Sequence, residues 1–146
     1  GVSGCIFCTL PADGESLYEK HQILLCNKQV FVIMNRYPYN NGHLMVIPRR
    51  HVNNITKLPD EEYQALTAML RLATDIVEKV MDSHGVNLGM NIGKAAGAGI
   101  EDHCHFHVVP RWRADTNFMP VISEVKILNE HLQQAYYKLL PEFKKL

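Results

Sequence analysis

An α+β fold, with a five-stranded antiparallel sheet and two main helices, is the class this sequence predicts, and three observations predict it. Short β-rich runs follow one another between residues 23 and 47, separated by turn formers, so that neighbouring strands pair antiparallel. One long stretch, 59–83, carries apolar residues at helical spacing. Near the C-terminal third, His103-Cys104-His105-Phe106-His107-Val108-Val109-Pro110 alternates histidine with apolar residues, and side chains alternate faces along a strand. A chain of 146 residues is expected to form one domain, 1–146, with enough length to bury a core.

In chain order, residues 1–11 (GVSGCIFCTLP) read as a loop carrying Cys5 and Cys8 and stopped by Pro11. Residues 12–21 are polar and hold a short helical turn at most. Ile23–Cys26 and 30–35 read as strands about an Asn27-Lys28 hairpin turn. Residues 37–42 (YPYNNG) are dense in turn formers, and 43–47 (HLMVI) is the next strand, closed by Pro48. The helix over 59–83 has Pro59 suited to its first position and Asp60, Glu61 and Glu62 at the positive end of its dipole. Tyr63, Leu66, Leu70, Ala73, Val77 and Val80 make one apolar face, which reads as core, and Gly85 reads as the helix stop. Residues 86–92 form a strand ending near Asn91, and 93–99 (GKAAGAG) a flexible loop before the histidine strand. A C-terminal helix spans about 123–140, with Val125, Leu128, Leu132 and Tyr136 on one face.

The charges balance at 15 basic and 15 acidic residues, so no basic field supports nucleic-acid binding. The longest apolar runs, such as 30–34, are far too short to span a bilayer, and no leader pattern opens the chain, which points to a cytoplasmic protein without a membrane partner. Cys5 and Cys8 form a C-x-x-C pair. Thr9 follows it, so it is no haem attachment motif, and it does not sit within a strand–helix unit as a thioredoxin-like pair would. It remains a metal half-site or two free thiols.

On a strand, His103, His105 and His107 share one face and Cys104, Phe106 and Val108 take the other, whereas a helix would spread the imidazoles around its circumference. By residue type alone this face suits catalysis, a metal site or a solvated edge strand. The pattern His, apolar, His, apolar, His, apolar, apolar resembles the signature of the histidine triad family. Residues 31–35 (FVIMN), 42–48 (GHLMVIP), His51 and Asn91 also match that family in order and spacing, and the match runs over roughly 4–113. The resemblance implies a family fold, a homodimer, and nucleotide hydrolase or transferase chemistry at an α-phosphate.

It further implies roles. His105 is the nucleophile: an imidazole, mostly neutral at pH 7, can attack phosphorus, and a covalent intermediate splits one hard displacement into two. His107 and His43 would donate to phosphate oxygens, with His103 completing the triad and Asn91 adding an amide donor. Asn35 matches the position that binds ribose hydroxyls. Cys5, Cys8, His51 and His103 resemble the structural zinc site of some branches, two thiolates and two imidazoles filling a tetrahedral shell. Residues 96–102 (AGAGIED) depart from the usual segment before the triad, leaving only backbone N–H groups at Gly99 and Ile100 to meet a leaving group. With residues 110–120, this resembles members related to diadenosine tetraphosphate phosphorylases and to the fragile histidine triad branch. Arg111, Arg113 and Lys94 would then hold further phosphates and Trp112 would stack on a base; a divalent metal ion bound with the polyphosphate accords with that substrate. The resulting expectation is cleavage of dinucleoside polyphosphates through a nucleotidyl-histidine, by phosphorolysis or hydrolysis. The alternatives are a nucleoside phosphoramidate hydrolase and a nucleotide-binding sensor or scaffold.

Overall fold

Strands β2 (Val30–Met34) and β3 (Leu44–Pro48) are buried along their whole lengths, which tells at once that both faces of the central sheet are covered. The structure is a computed structural model and describes residues 2–37, 40–100, 102–113 and 125–146, with backbone alone at 125–130. β1 (Ile23–Cys26), β4 (Gly85–Gly89) and β5 (Phe106–Arg111) complete a five-stranded sheet in the order β1-β2-β3-β5-β4, antiparallel throughout, as the sequence predicts.

The period-two pattern sorts the strands onto two cores. Val30, Val32, Met34, Leu44, Val46 and Val108 face the two long helices, α3 (Asp60–Val80) and α4 (Val125–Lys144), and pack with Leu66, Ala73, Val77, Tyr136, Leu139 and Phe143. Phe31, Ile33, Met45 and Ile47 face the other way, onto Phe7 of a short helix, α1 (Ile6–Ala12). In register Met45 sits opposite His107, so the histidine side of β5 shares the α1 face.

Several boundaries differ from the sequence reading, each for a physical reason. The segment 1–11 is not all loop: α1 forms, with Pro11 inside it, because the ring removes a single donor near the end of a seven-residue helix. Residues 12–21 hold a 3₁₀ turn, Glu15–Leu17, and α2 (Tyr18–His21). Pro59 is the cap of α3 rather than its first residue, its carbonyl accepting from Tyr63 N–H at 2.9 Å. The α3 core stripe is Leu66, Met69, Ala73, Ile76 and Val77, and Tyr63 is 42% exposed. Asp82, at φ 49°, turns the chain after α3, while Gly85 belongs to β4 opposite Arg111. β3 begins one residue later than expected, after His43, and includes Pro48. Gly42 precedes it at φ 86°, where a Cβ would meet Met81 Cγ at 3.0 Å, so the turn into His43 requires glycine.

β5 begins only at Phe106, so His103, at a bend, and His105 lie in the segment leading into it. β4 correspondingly stops at Gly89, whose partner is His107, and Asn91 lies beyond the strand. The loop 93–99 contains a 3₁₀ turn, Lys94–Ala96. α4 runs to Lys144, past the expected end near 140; of its expected face, Leu132 is half-buried and Tyr136 buried. Pro38 and Tyr39 of the turn-rich stretch, Glu101, and residues 114–124 lie outside the described residues.

Candidate functional site

The first turn of α1 brings Cys5 and Cys8 onto one side. Cys5 caps the helix, and its carbonyl accepts from Cys8 N–H at 3.1 Å and Thr9 N–H at 3.0 Å. His51 follows β3, and His103 precedes β5. Cys5 Sγ lies 3.4 Å from His103 Nδ1, and Cys8 Sγ lies 3.4 Å from His51 Nδ1 and 3.6 Å from His103 Nδ1. All four ligand atoms fall within 4.8 Å of one another. A tetrahedral zinc shell of these donors requires sulfur–nitrogen spacings of about 3.5 Å, so the residues fit such an ion. His103 is prepared for the role. Its Nε2–H donates to the Pro48 carbonyl at 2.8 Å, which leaves the Nδ1 lone pair facing the thiols. Burial holds the His103 ring below the ordinary histidine range and pushes the Cys5 thiol up.

On the same face, a cleft of about 530 Å³ opens beside this cluster. Ile6, Phe7 and Leu10 of α1, Ile33, Met45 and Ile100 give it apolar walls, and Asn35, Arg36, Asn91, Gly99, His105 and His107 line it as well. His105 is buried, at 6% exposure. A carbonyl can only accept, so the 3.0 Å contact from His105 Nδ1 to the His103 carbonyl fixes the proton on Nδ1. Burial lowers the pKa of His105, so the ring is neutral near pH 7 and its Nε2 carries a free lone pair. Phe7 lies edge-on to His105 at 5.0 Å and to His103 at 5.7 Å between centroids.

His107 and His43 meet at 2.9 Å, Nδ1 to Nε2, and share one proton between the two nitrogens. His43 is held at about 4, by burial first and then by the repulsion of a charge at His107 or His105; burial also lowers His107. The Asn35 amide nitrogen reaches 3.3 Å from His43 Nε2, and its Oδ1 accepts from Tyr37 N–H at 3.0 Å, which orients the side chain. The cleft therefore joins an unprotonated imidazole nitrogen, a neutral histidine pair, two amides and an apolar wall. That combination can bind a molecule with one flat apolar part and one polar or anionic part, and can attack it.

Four expected residues stand elsewhere. Trp112 donates its indole N–H to the Asp82 carbonyl at 3.0 Å and packs against the helical core, so it anchors the end of β5 rather than facing the cleft. Arg111 donates to Asn87 Oδ1 at 2.9 Å across β4 and β5. Four residues of strand carry it about 13 Å from His107. Lys94 is exposed in its 3₁₀ turn and does not line the cleft. Arg113 is also exposed, its N–H donating to His84 Nδ1 at 2.8 Å. Conversely, Ile6, Phe7, Leu10 and Arg36 were not singled out in the sequence. The apolar residues at 6, 7 and 10 had helical spacing, the signal that could have found them.

With this geometry in hand, the chain can be set beside known proteins. The HIT domain model matches residues 17–114. A Mycobacterium tuberculosis protein named AP-4-A phosphorylase is 38% identical over 125 residues, covering 86% of this chain and 64% of that protein. This chain thus spans a little under two thirds of that relative's length. A bis(5'-adenosyl)-triphosphatase of Dictyostelium discoideum is 29% identical over 102 residues, 70% of this chain and 68% of the relative. The crystal structure of a zinc-bound histidine triad family protein from Mycobacterium smegmatis superposes with a TM-score of 0.69 at 25% identity, covering 95% of this chain and 97% of that one.

Proposed function

Since the chain belongs to the HIT domain family, we propose that it is a nucleotidyl transferase or hydrolase that cleaves dinucleoside polyphosphates through a nucleotidyl-histidine. The observation that carries this reading is the state of His105: proton on Nδ1, lone pair on Nε2, ring neutral, in the wall of the cleft. His105 Nε2 attacks the α-phosphorus and the bond to the bridging oxygen breaks, so that the remaining nucleoside polyphosphate leaves. His107, with His43 behind it, and Asn91 donate to the phosphate oxygens as charge develops there. Asn35 takes the ribose hydroxyls, and Ile6, Phe7 and Leu10 flank the base. Phosphate or water then attacks the phosphorus on His105 and releases the mononucleotide. The 38% identity with a protein named AP-4-A phosphorylase supports this substrate class.

Cys5, Cys8, His51 and His103 would hold a structural zinc ion, which supplies a rigid tetrahedral node between α1 and the triad segment. Elemental analysis of the purified protein tests this, with one zinc per chain expected. The same reading takes residues 1–146 as one domain of a cytoplasmic homodimer, which light scattering checks in its oligomeric part. Among the described residues, no helix is long and apolar enough to cross a membrane.

The deciding experiment is product analysis with diadenosine tetraphosphate, with and without inorganic phosphate, on the unmutated protein and on His105→Ala. ADP plus ATP formed only with phosphate identifies a phosphorylase. AMP plus ATP formed without it identifies a hydrolase. No turnover overturns the dinucleotide reading and leaves phosphoramidates or a sensing role.

A further inference from the structure

The cleft has a second polar end, away from the triad. Phe7 of α1 lies against His105 at 5.0 Å, and Asp13 caps the same helix six residues on. At a rise of 1.5 Å per residue the two are about 9 Å apart along the helix axis. His21 closes α2, Gln22 caps it, and both line the cleft. Met34 N–H donates to the Gln22 carbonyl at 3.0 Å, which ties this end to β2 one residue before Asn35. His21 Nε2–H donates to Asp13 Oδ2 at 2.9 Å, since a carboxylate only accepts. The His21 side chain is 12% exposed, and among the described residues its Nδ1 has no partner, so that nitrogen keeps an acceptor lone pair. Gln22 Nε2 donates to the Glu19 carbonyl at 3.1 Å, which fixes the amide and leaves Oε1 buried with no hydrogen-bond partner among the described residues. Gln22 also holds φ 63°, a left-handed conformation that costs any residue with a Cβ. An unmet acceptor and a strained backbone thus coincide in the wall of the cleft, beside the free nitrogen of His21.

We propose that His21, held by Asp13, reads the edge of the bound base together with Gln22, and selects a base with an exocyclic amino group, as in adenine, over one with a carbonyl there. The proposal rests on the reading of the cleft as a nucleotide site, with the α-phosphate at His105 and the ribose at Asn35. The walls formed by Ile6, Phe7 and Leu10 hold a purine by its faces and cannot tell one purine from another. Discrimination has to come from polar groups at the edge. An amino group carries two N–H donors. His21 Nδ1 takes one, and Gln22 Oε1 takes the other after a rotation of its side chain. A carbonyl oxygen offers only lone pairs, so hypoxanthine or guanine sets acceptor against acceptor. Asp13 is a positioning residue: it keeps the His21 proton on Nε2 and the lone pair on Nδ1.

The test is equilibrium binding of AMP and of IMP, which carry an amino group and a carbonyl at this edge. Isothermal titration calorimetry is run on the unmutated protein, His21→Phe, Gln22→Leu and Asp13→Ala. The unmutated protein should bind AMP about 10- to 100-fold more tightly than IMP, the range expected when a buried polar group is left unmet. His21→Phe should bring the two affinities to within about threefold by weakening AMP alone. Gln22→Leu and Asp13→Ala should each lower the ratio by about threefold or more and leave IMP where it was. IMP is the internal control, because a variant that only disturbs the fold weakens both nucleotides alike. A ratio near one in the unmutated protein would overturn the proposal. So would a ratio that His21→Phe leaves unchanged, or an equal loss of AMP and IMP in every variant. If neither nucleotide binds the unmutated protein, the nucleotide reading fails and the proposal with it. A preference for AMP that disappears in His21→Phe, in a protein that turns over no diadenosine tetraphosphate, overturns the cleavage reading alone and supports the base selection.

Discussion

One short segment carries two histidines two residues apart that share a face and differ in almost everything else. His103 is fully buried, and both ring nitrogens are engaged, one by a carbonyl and one by thiols. His105 is nearly as buried, but one nitrogen is bonded and the other is left in the wall of an open cleft. Which nitrogen remains, and what it faces, suits the first to holding a metal ion and the second to nucleophilic attack. The side chains are chemically identical; the backbone carbonyl each one finds separates them. Residue type sets what a group can do, and its hydrogen-bond partners set which of those things it does.

The contrast can be broken most severely at the open end. His105→Ala should lower turnover by on the order of 10⁴-fold, as loss of a covalent nucleophile does, while nucleotide binding changes little. Trapping of the labelled nucleotidyl-enzyme, together with a binding titration, checks both halves. Binding lost along with turnover would place the residue in recognition rather than attack.

At the closed end the effect should be on folding. Cys5→Ser with Cys8→Ser is expected to abolish zinc binding and to lower Tm by roughly 10 °C or more, because binding energy at a structural metal site is folding energy. Differential scanning calorimetry beside metal analysis reads this. An unchanged Tm would make the thiols incidental.

A milder stress distinguishes the neutral pair behind the cleft. His43 titrates at about 4 in the folded protein and near 6.5 when unfolded. Between those values the unfolded chain binds a proton that the native protein does not. The stability His43 contributes is therefore full above pH 6.5 and is lost as pH falls toward 4, by up to about 3 kcal/mol. Urea denaturation across that range, compared with His43→Asn, should show a steeper loss in the unmutated protein.

The smallest change is expected far from both ends. Trp112→Phe should cost about 1 kcal/mol through loss of the indole bond to Asp82, and leave nucleotide affinity within twofold. A large loss of affinity in isothermal calorimetry would return Trp112 to the binding surface.

The legible parts of this molecule are those where a period decides. The short β-rich runs at 30–34 and 44–48, bounded by turn formers, read as strands, and in the structure successive side chains divide between two cores. Leu66, Ala73 and Val77 follow helical spacing and are buried. The cluster of Cys5, Cys8, His51 and His103 was legible only through resemblance, because its members are up to 98 residues apart in the chain and no local pattern joins them. Trp112 and Arg111 look like a binding patch in sequence, an aromatic beside arginines. The strand carries them to the opposite end of β5 from the cleft, where indole and guanidinium find protein partners. Phe7 was hidden inside a stretch read as loop, since Pro11 suggested a break that a single missing donor does not enforce.

By itself, then, the sequence determined the class of fold, the face on which the histidines lie and the inventory of reactive groups, since these follow from side-chain period and residue chemistry over short distances. Only the tertiary structure decided which imidazole nitrogen is free. That depends on the Pro48 and His103 carbonyls, the thiols of a distant helix and the ring of Phe7, and a hydrogen bond or a lone pair acquires its direction only when chain segments far apart in sequence are packed together.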